Sequence, residues 1–197
     1  MSGPDAGASA TAILPLFPLR TVLFPGGLLP LRIFEPRYLD MIGRCMRNGS
    51  CFGVILITAG AEVGAVGGLA RIGTSARIVD FERRPEGLLG VLCRGEQRFA
   101  LRTRSTQADG LHVGGVEWLP VDAQPLPAEH ARLAEVLRRV MGEHGQWRQF
   151  LQEDYASAEW VGCRLAELVP MSHASRQRLL DLDDAVQRVE ILAPLVK

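Results

Sequence analysis

Prolines punctuate the apolar stretch from Leu14 to Met46, and they limit what that stretch can become. Pro15 and Pro18 lie inside the apolar run Ile13 to Leu19. Proline has no N–H to give a sheet ladder, so this run predicts an edge or opening strand rather than a central one. Pro25-Gly26-Gly27 predicts a turn, because proline presets φ and the glycines take positive φ without a steric penalty. A second strand is expected over Leu28 to Ile33. Pro36 then fits a first helical position, with Glu35 beside the positive end of the helix dipole. That helix carries Tyr38, Leu39, Met41, Ile42, Cys45 and Met46 and stops at Asn48-Gly49.

The following segment has the punctuation of a β domain. Cys51 to Ile57 is continuously apolar and reads as a buried strand. A glycine-rich loop follows, including Gly64-Ala65-Val66-Gly67-Gly68, which lacks the GxGxxG spacing and the helix a dinucleotide loop needs. Ala70 to Phe81 reads as a long strand, with Ile72, Ala76 and Ile78 on one face and Arg71 and Arg77 on the other. Arg83 to Gly87 is the expected hairpin loop and Leu88 to Arg94 the return. Gly95-Glu96 predicts another turn, into Gln97 to Ser105. There Phe99, Leu101 and Thr103 alternate with Arg98, Ala100, Arg102 and Arg104. Leu111 to Trp118 completes the set after Asp109-Gly110. Short strands separated by turns predict a barrel or sandwich with one helix inserted early.

From Pro120 the period changes to that of helices. Leu133, Val136, Leu137, Val140 and Met141 form one apolar stripe. Gly142 to Gly145 breaks it, and Trp147, Phe150 and Leu151 mark a short helix. Ser157 and Ser172 are expected helix caps, Pro170 a stop, and Asp183 the cap of the last helix. Trp160 is expected at the seam between the two parts or inside the helical core.

The order strand, Pro-Gly turn, strand, helix resembles the N-terminal domain of Lon proteases, found also as a stand-alone bacterial protein. The residues that carry the resemblance are Leu14-Pro15-Leu16-Phe17-Pro18-Leu19-Arg20, Phe24-Pro25-Gly26, Pro30-Leu31 and Ile33-Phe34-Glu35-Pro36-Arg37-Tyr38. The segments Glu62 to Gly64 with Gly68 to Phe81, and Leu88 to Leu101, together with Ser175 to Val189, are similar to the same family. The resemblance implies an α+β protein: a PUA-like β-barrel with an inserted helix over residues 13–119, then an α-helical bundle over 120–197, behind a flexible tail at 1–12. It also implies a non-catalytic module that handles protein substrates, with unfolded or partly folded polypeptide, a partner protease or a chaperone as partners.

Chemistry is constrained chiefly by what is missing. Lys197 is the only lysine, so no Walker A loop and no scaffolded Ser–Lys dyad exists in these residues. His112, His130, His144 and His173 share no ligand spacing with one another or with the cysteines, and surface or cap positions are expected. Cys45, Cys51, Cys93 and Cys163 contain no CxxC pair and read as reduced, buried thiols of a cytoplasmic protein. Zero formal charge gives no whole-molecule attraction to DNA or an anionic membrane. No apolar run approaches the ~18 residues of a membrane span, and no signal peptide is expected. No metal, cofactor or catalytic residue is expected. Two candidate surfaces remain. The turn Phe24, Pro25, Gly26 and Leu28 is unusually apolar and is a candidate peptide-binding patch. Arg98, Arg102 and Arg104, on one predicted face, form the alternative, an RNA-binding strand.

Overall fold

A computed structural model of the chain describes residues 11–60, 66–83, 88–143 and 149–196. Along it run β1 (Thr11–Leu19), β2 (Leu28–Ile33), α1 (Pro36–Asn48), β3 (Phe52–Gly60), β4 (Val66–Leu69), β5 (Ile72–Arg83), β6 (Leu89–Thr106) and β7 (His112–Trp118). Then come α2 (Ala131–Glu143), α3 (Ala158–Leu168), α4 (His173–Asp181) and α5 (Ala185–Leu192). Residues 1–10, 61–65, 84–87, 144–148 and 197 lie outside the described residues. So do much of the expected tail and glycine-rich loop, the tip of the hairpin after Arg83 and Trp147.

The fold is mixed α/β, with a largely antiparallel sheet ordered β1-β7-β6-β5-β3-β4 and β2 added on β6. β3 also pairs in parallel with β1, so the pairing returns to its start. The prolines in β1 fit this arrangement. Thr11 to Leu16 pairs with β7, and Leu16 to Leu19 pairs with β3. β1 stands at the end of the strand order, as the edge-or-opening expectation had it, but each half has its own partner, and prolines are tolerated where the other flank is open. The strand also begins at Thr11, inside the expected tail.

Most local signals near the helices hold, although α2 runs one residue past the expected break at Gly142. Pro36 opens α1, and Gly49 closes it with φ 61°, the left-handed geometry that glycine tolerates. Ser157 accepts from Trp160 N–H and Ser172 from Ser175 N–H, as expected of caps. The last cap is Asp184, which accepts from the N–H groups of Val186 and Gln187, not Asp183.

Two larger corrections concern β6. The expected turn at Gly95-Glu96 does not form; one strand of 18 residues runs straight through it. Thr74 faces Arg98 and Ala76 faces Gly95, so β6 carries one extra residue there and bends without ending. A second bulge follows, where Leu101 faces Val116 and Thr103 faces Gly115. That extra residue breaks the alternation on which a common face for Arg98, Arg102 and Arg104 depended.

Two apolar clusters fill the molecule. α1 lays Tyr38, Met41, Ile42 and Cys45 over Phe17, Phe52, Val91 and Cys93. The larger cluster joins Leu14, Leu16, Ile55 and Phe99 from the strands to Leu137, Val161, Leu165 and Val189 from the helices. Residues on both sides of position 120 thus share one core. Phe99 fits because glycine lies against it. A Cβ on Gly73 would sit 2.5 Å from Phe99 Cζ and 2.6 Å from the Val54 carbonyl oxygen. Because the second obstacle is backbone, Gly73→Ala should destabilise by about 1–3 kcal/mol, the usual cost of overpacking. Urea melts of the variant against wild type measure this.

Candidate functional site

The Pro-Gly-Gly turn is a seam rather than an exposed patch. Gly26 N–H donates to Gly95 O at 2.8 Å, and Gly95 N–H donates to Gly27 O at 2.8 Å. Gly95 has no room for a side chain, since a Cβ would overlap the Phe24 carbonyl oxygen. Gly26 has φ 74°, and its open face lies against Trp160, whose Nε1 is 3.7 Å from where a Cβ would be. Arg164 on α3 donates through Nη2 to Pro25 O at 2.7 Å and to Glu167 Oε1 at 3.1 Å. The turn is thus clamped between β6 and α3.

This geometry corrects the first sequence expectation. Phe24 is fully buried in the larger core cluster, and Leu28 is half-buried within β2, paired with Arg94. An apolar residue at a turn predicts exposure only when nothing packs over it, and α3 packs here. Pro25 and Gly26 remain half-exposed. Together with Val121, Pro125, Asp154 and Trp160 they line a groove of about 530 Å³. Trp160 is where expected, at the seam, edge-on to Tyr155 with ring centroids 4.7 Å apart. Val121 is 67% exposed and is the groove's apolar rim. Sequence reading missed the connector's part in it, because Val121 lies in a proline-bearing stretch with no helical or strand period.

The arginine strand is likewise dismantled. Arg98 is 3% exposed and donates through Nη1 to Leu180 O at 2.9 Å and Leu182 O at 2.7 Å. Its Nη2 reaches Asp183 Oδ1 at 3.1 Å. Arg102 pairs with Glu117, and Arg104 is exposed. These three side chains form no common basic face.

Two further arginines, Arg164 and Arg188, were not singled out by sequence and are also buried. Arg188 donates to Glu159 Oε2 at 2.6 Å, Leu179 O at 2.9 Å and Leu182 O at 2.7 Å. Asp122 is held below its ordinary value, chiefly by the N–H of Ala185. Burial pushes the thiols of Cys93 and Cys163 up to about 12, so neither is a nucleophile near neutrality. His112 is buried rather than at the surface as expected; desolvation lowers its pKa, and Arg104 and Arg37 lower it further. Among the described residues no group of His, Cys, Asp and Glu could hold a metal ion.

Comparison with known proteins places this architecture. The family model of the ATP-dependent protease La (LON) substrate-binding domain matches residues 13–197. A solved Lon N-terminal domain protein from Xanthomonas campestris is 40% identical, with TM-score 0.77, over 94% of this chain and 99% of that one. The N-terminal domain of a Mycobacterium avium complex Lon protease shares the fold, with TM-score 0.60 and 16% identity over 94% of this chain and 98% of that one. Lon protease 2 of Myxococcus xanthus is 34% identical over 93% of this chain, and protein cereblon of Xenopus tropicalis 26% over 90%. The chain spans only 23% and 40% of the lengths of those two proteins.

Glu167 offers a test of the seam. Burial raises its carboxyl pKa above the ordinary 4.5, against the opposing pull of Arg164, Arg176 and the Phe24 N–H. The folded state therefore holds this proton more tightly than the unfolded chain. The stabilisation is complete below the ordinary value and is lost as pH rises through the raised one. Glu167→Gln cannot lose a proton, so relative to wild type it should gain stability between about pH 4 and pH 7. Chemical denaturation at the two pH values measures the difference.

Proposed function

We propose, from the premise that this chain belongs to the Lon substrate-binding domain family, that it is a non-catalytic module binding unfolded or partly folded polypeptide. The observation that carries this is the seam groove. It combines an exposed apolar rim at Val121 with half-exposed Pro25 and Gly26 over the buried ring of Trp160. Unfolded chains share exposed apolar side chains rather than a common charge, and a groove of this make-up suits them. Pro25 and Gly26 keep the role expected of the turn; Phe24 and Leu28 support it from beneath and from β2.

In this reading the ring β1-β7-β6-β5-β3 is a PUA-like barrel, and the helices gathered on α3 are the bundle that closes one side of the groove. Residues 13–119 and 120–197 act as subdomains welded by their shared core. The module works in the cytoplasm and presents polypeptide to a protease or chaperone. RNA is disfavoured as the ligand, because Arg98 is spent on carbonyl oxygens under α4.

The groove is tested where folding is least disturbed. Val121→Asp should weaken binding of a chemically denatured, fluorescently labelled model protein several-fold and leave the melting temperature unchanged, since exposed substitutions stay within about 0.5 kcal/mol. Phe24→Ser should instead lower the melting temperature sharply, as loss of a buried aromatic costs on the order of 3–5 kcal/mol. Undiminished binding by a folded Val121→Asp protein would remove the groove from the proposal.

A further inference from the structure

The charge of the seam groove is one-sided. Asp122, Asp154 and Glu159 line it, and among the described residues no lysine or arginine does. Asp122 belongs to the connector, Asp154 to the loop before α3, and Glu159 to the first turn of α3. Backbone contacts hold these stretches together. Leu126 N–H donates to Ala156 O at 2.7 Å, and Ala158 N–H donates to Gln124 O at 3.1 Å. The three carboxylates thus share one trough with the exposed apolar side chain of Val121.

Cations nearby do not cancel this charge. Arg188 is fully buried, holds Glu159 Oε2 at 2.6 Å and also favours the charged form of Asp122. One guanidinium therefore serves two carboxylates. Arg164, behind the Pro25 carbonyl, has its own partner in Glu167. Arg138 is engaged over the ring of Tyr155, a residue that does not line the groove. Asp122 accepts from the N–H groups of Ala185 and Gln124 and from Gln124 Nε2, all neutral donors, so its charge is solvated but not neutralised. Asp154 is exposed, and among the described residues its carboxylate takes the N–H of Ala156 alone, through Oδ1 at 3.2 Å. Its Oδ2 is left to whatever enters.

Carboxylates of one sign beside low-dielectric walls focus their field into the trough. An apolar chain segment that settles there must place its own charges in that field, where opposite charge is steered in and like charge is repelled. Resting on the reading of the groove as a polypeptide site, we propose that its occupant is an apolar segment flanked by lysine or arginine, and that acidic segments are turned away. The apolar side chains cover Val121 and Pro25. The methylene stem of the basic residue lies along the same apolar rim and carries its head group to Asp154. The phosphates of a nucleic acid meet the repulsion that an acidic segment meets.

The test uses three octapeptides, each fluorescein-labelled at its N-terminus and amidated at its C-terminus. They are Gly-Lys-Leu-Val-Phe-Leu-Lys-Gly and its counterparts with glutamine or with glutamate in place of both lysines. Fluorescence anisotropy with the full chain at low salt should show the lysine peptide bound about fivefold more tightly than the glutamine peptide, the glutamate peptide being weakest, as exposed ion pairs allow. About 0.5 M salt should bring the three affinities together, because screening shortens the reach of exposed charges. Asp154→Asn keeps the acceptor for Ala156 and removes the charge. It should narrow the lysine-to-glutamine ratio to about twofold at unchanged melting temperature. Val121→Ser should weaken all three peptides alike. Tightest binding of the glutamate peptide, a lysine preference that salt leaves intact, or an undiminished ratio in folded Asp154→Asn protein overturns the inference. Equal binding of the three peptides that Val121→Ser weakens overturns it alone and leaves the groove standing. No binding of any peptide, or binding that Val121→Ser leaves unchanged, removes the groove and this inference with it.

Discussion

Short helices leave carbonyl oxygens over, and the helical half of this protein is built on how those oxygens are satisfied. The last four carbonyls of any α-helix have no partner within it. α4 is nine residues long, so its final turn is close to half of it. Its carbonyls at Leu179 and Leu180, and that of Leu182 in the following connector, are met by two buried guanidinium groups. Arg98 arrives from β6 and Arg188 from α5, and both donate to Leu182 O. A glycine cap would have satisfied the same groups locally. Using side chains from another helix and from the sheet makes the helix end a three-way joint. Arginine suits the task because its planar fork places several donors at fixed angles, which a lysine ammonium cannot do.

The same economy governs the other seam. Arg164 reaches from α3 to the Pro25 carbonyl, and Glu167 meets Arg164 while accepting from the backbone of Phe24. Burying ions is expensive unless each is paired and hydrogen-bonded. Here each guanidinium has both a carboxylate and backbone carbonyls: Asp183 for Arg98, Glu167 for Arg164, Glu159 for Arg188. The larger apolar cluster supplies the attraction between strands and helices. The three arginines set its geometry, because each satisfies carbonyls on an element other than its own.

What sequence could reveal follows from the range of the interactions involved. Helix limits are local, so Pro36, Gly49, Ser157 and Ser172 announced themselves correctly. Family resemblance added what locality could not, the mixed α/β fold of a Lon N-terminal domain. Both misreadings of β6 come from bulges, which depend on the partner strand: nothing near Gly95 tells whether it turns the chain or only bends it. The arginines were misjudged for a related reason. A charged residue in an alternating strand reads as solvent-facing until something covers it, and what covers Arg98 lies more than 80 residues away. Phe24 shows the converse, an apolar turn that looked exposed because α3 was not yet in view.

The seam groove has its origin in this design. Beside the shared apolar core, side chains that bridge elements fix the sheet and helices at points, at Leu179 to Asp183 and at Pro25 to Gly27. Between such points the backbone need not close up. The connector runs past the Pro-Gly turn and leaves a trough above Trp160. Grooves bounded by rigid elements keep their shape without a ligand, which lowers the ordering cost when a flexible chain settles in. The proposed function, holding many unrelated sequences, would need pre-formed troughs with few specific side-chain demands. Joints made to carbonyl oxygens provide them, because they fix the backbone and leave the surface residues of the trough free to differ.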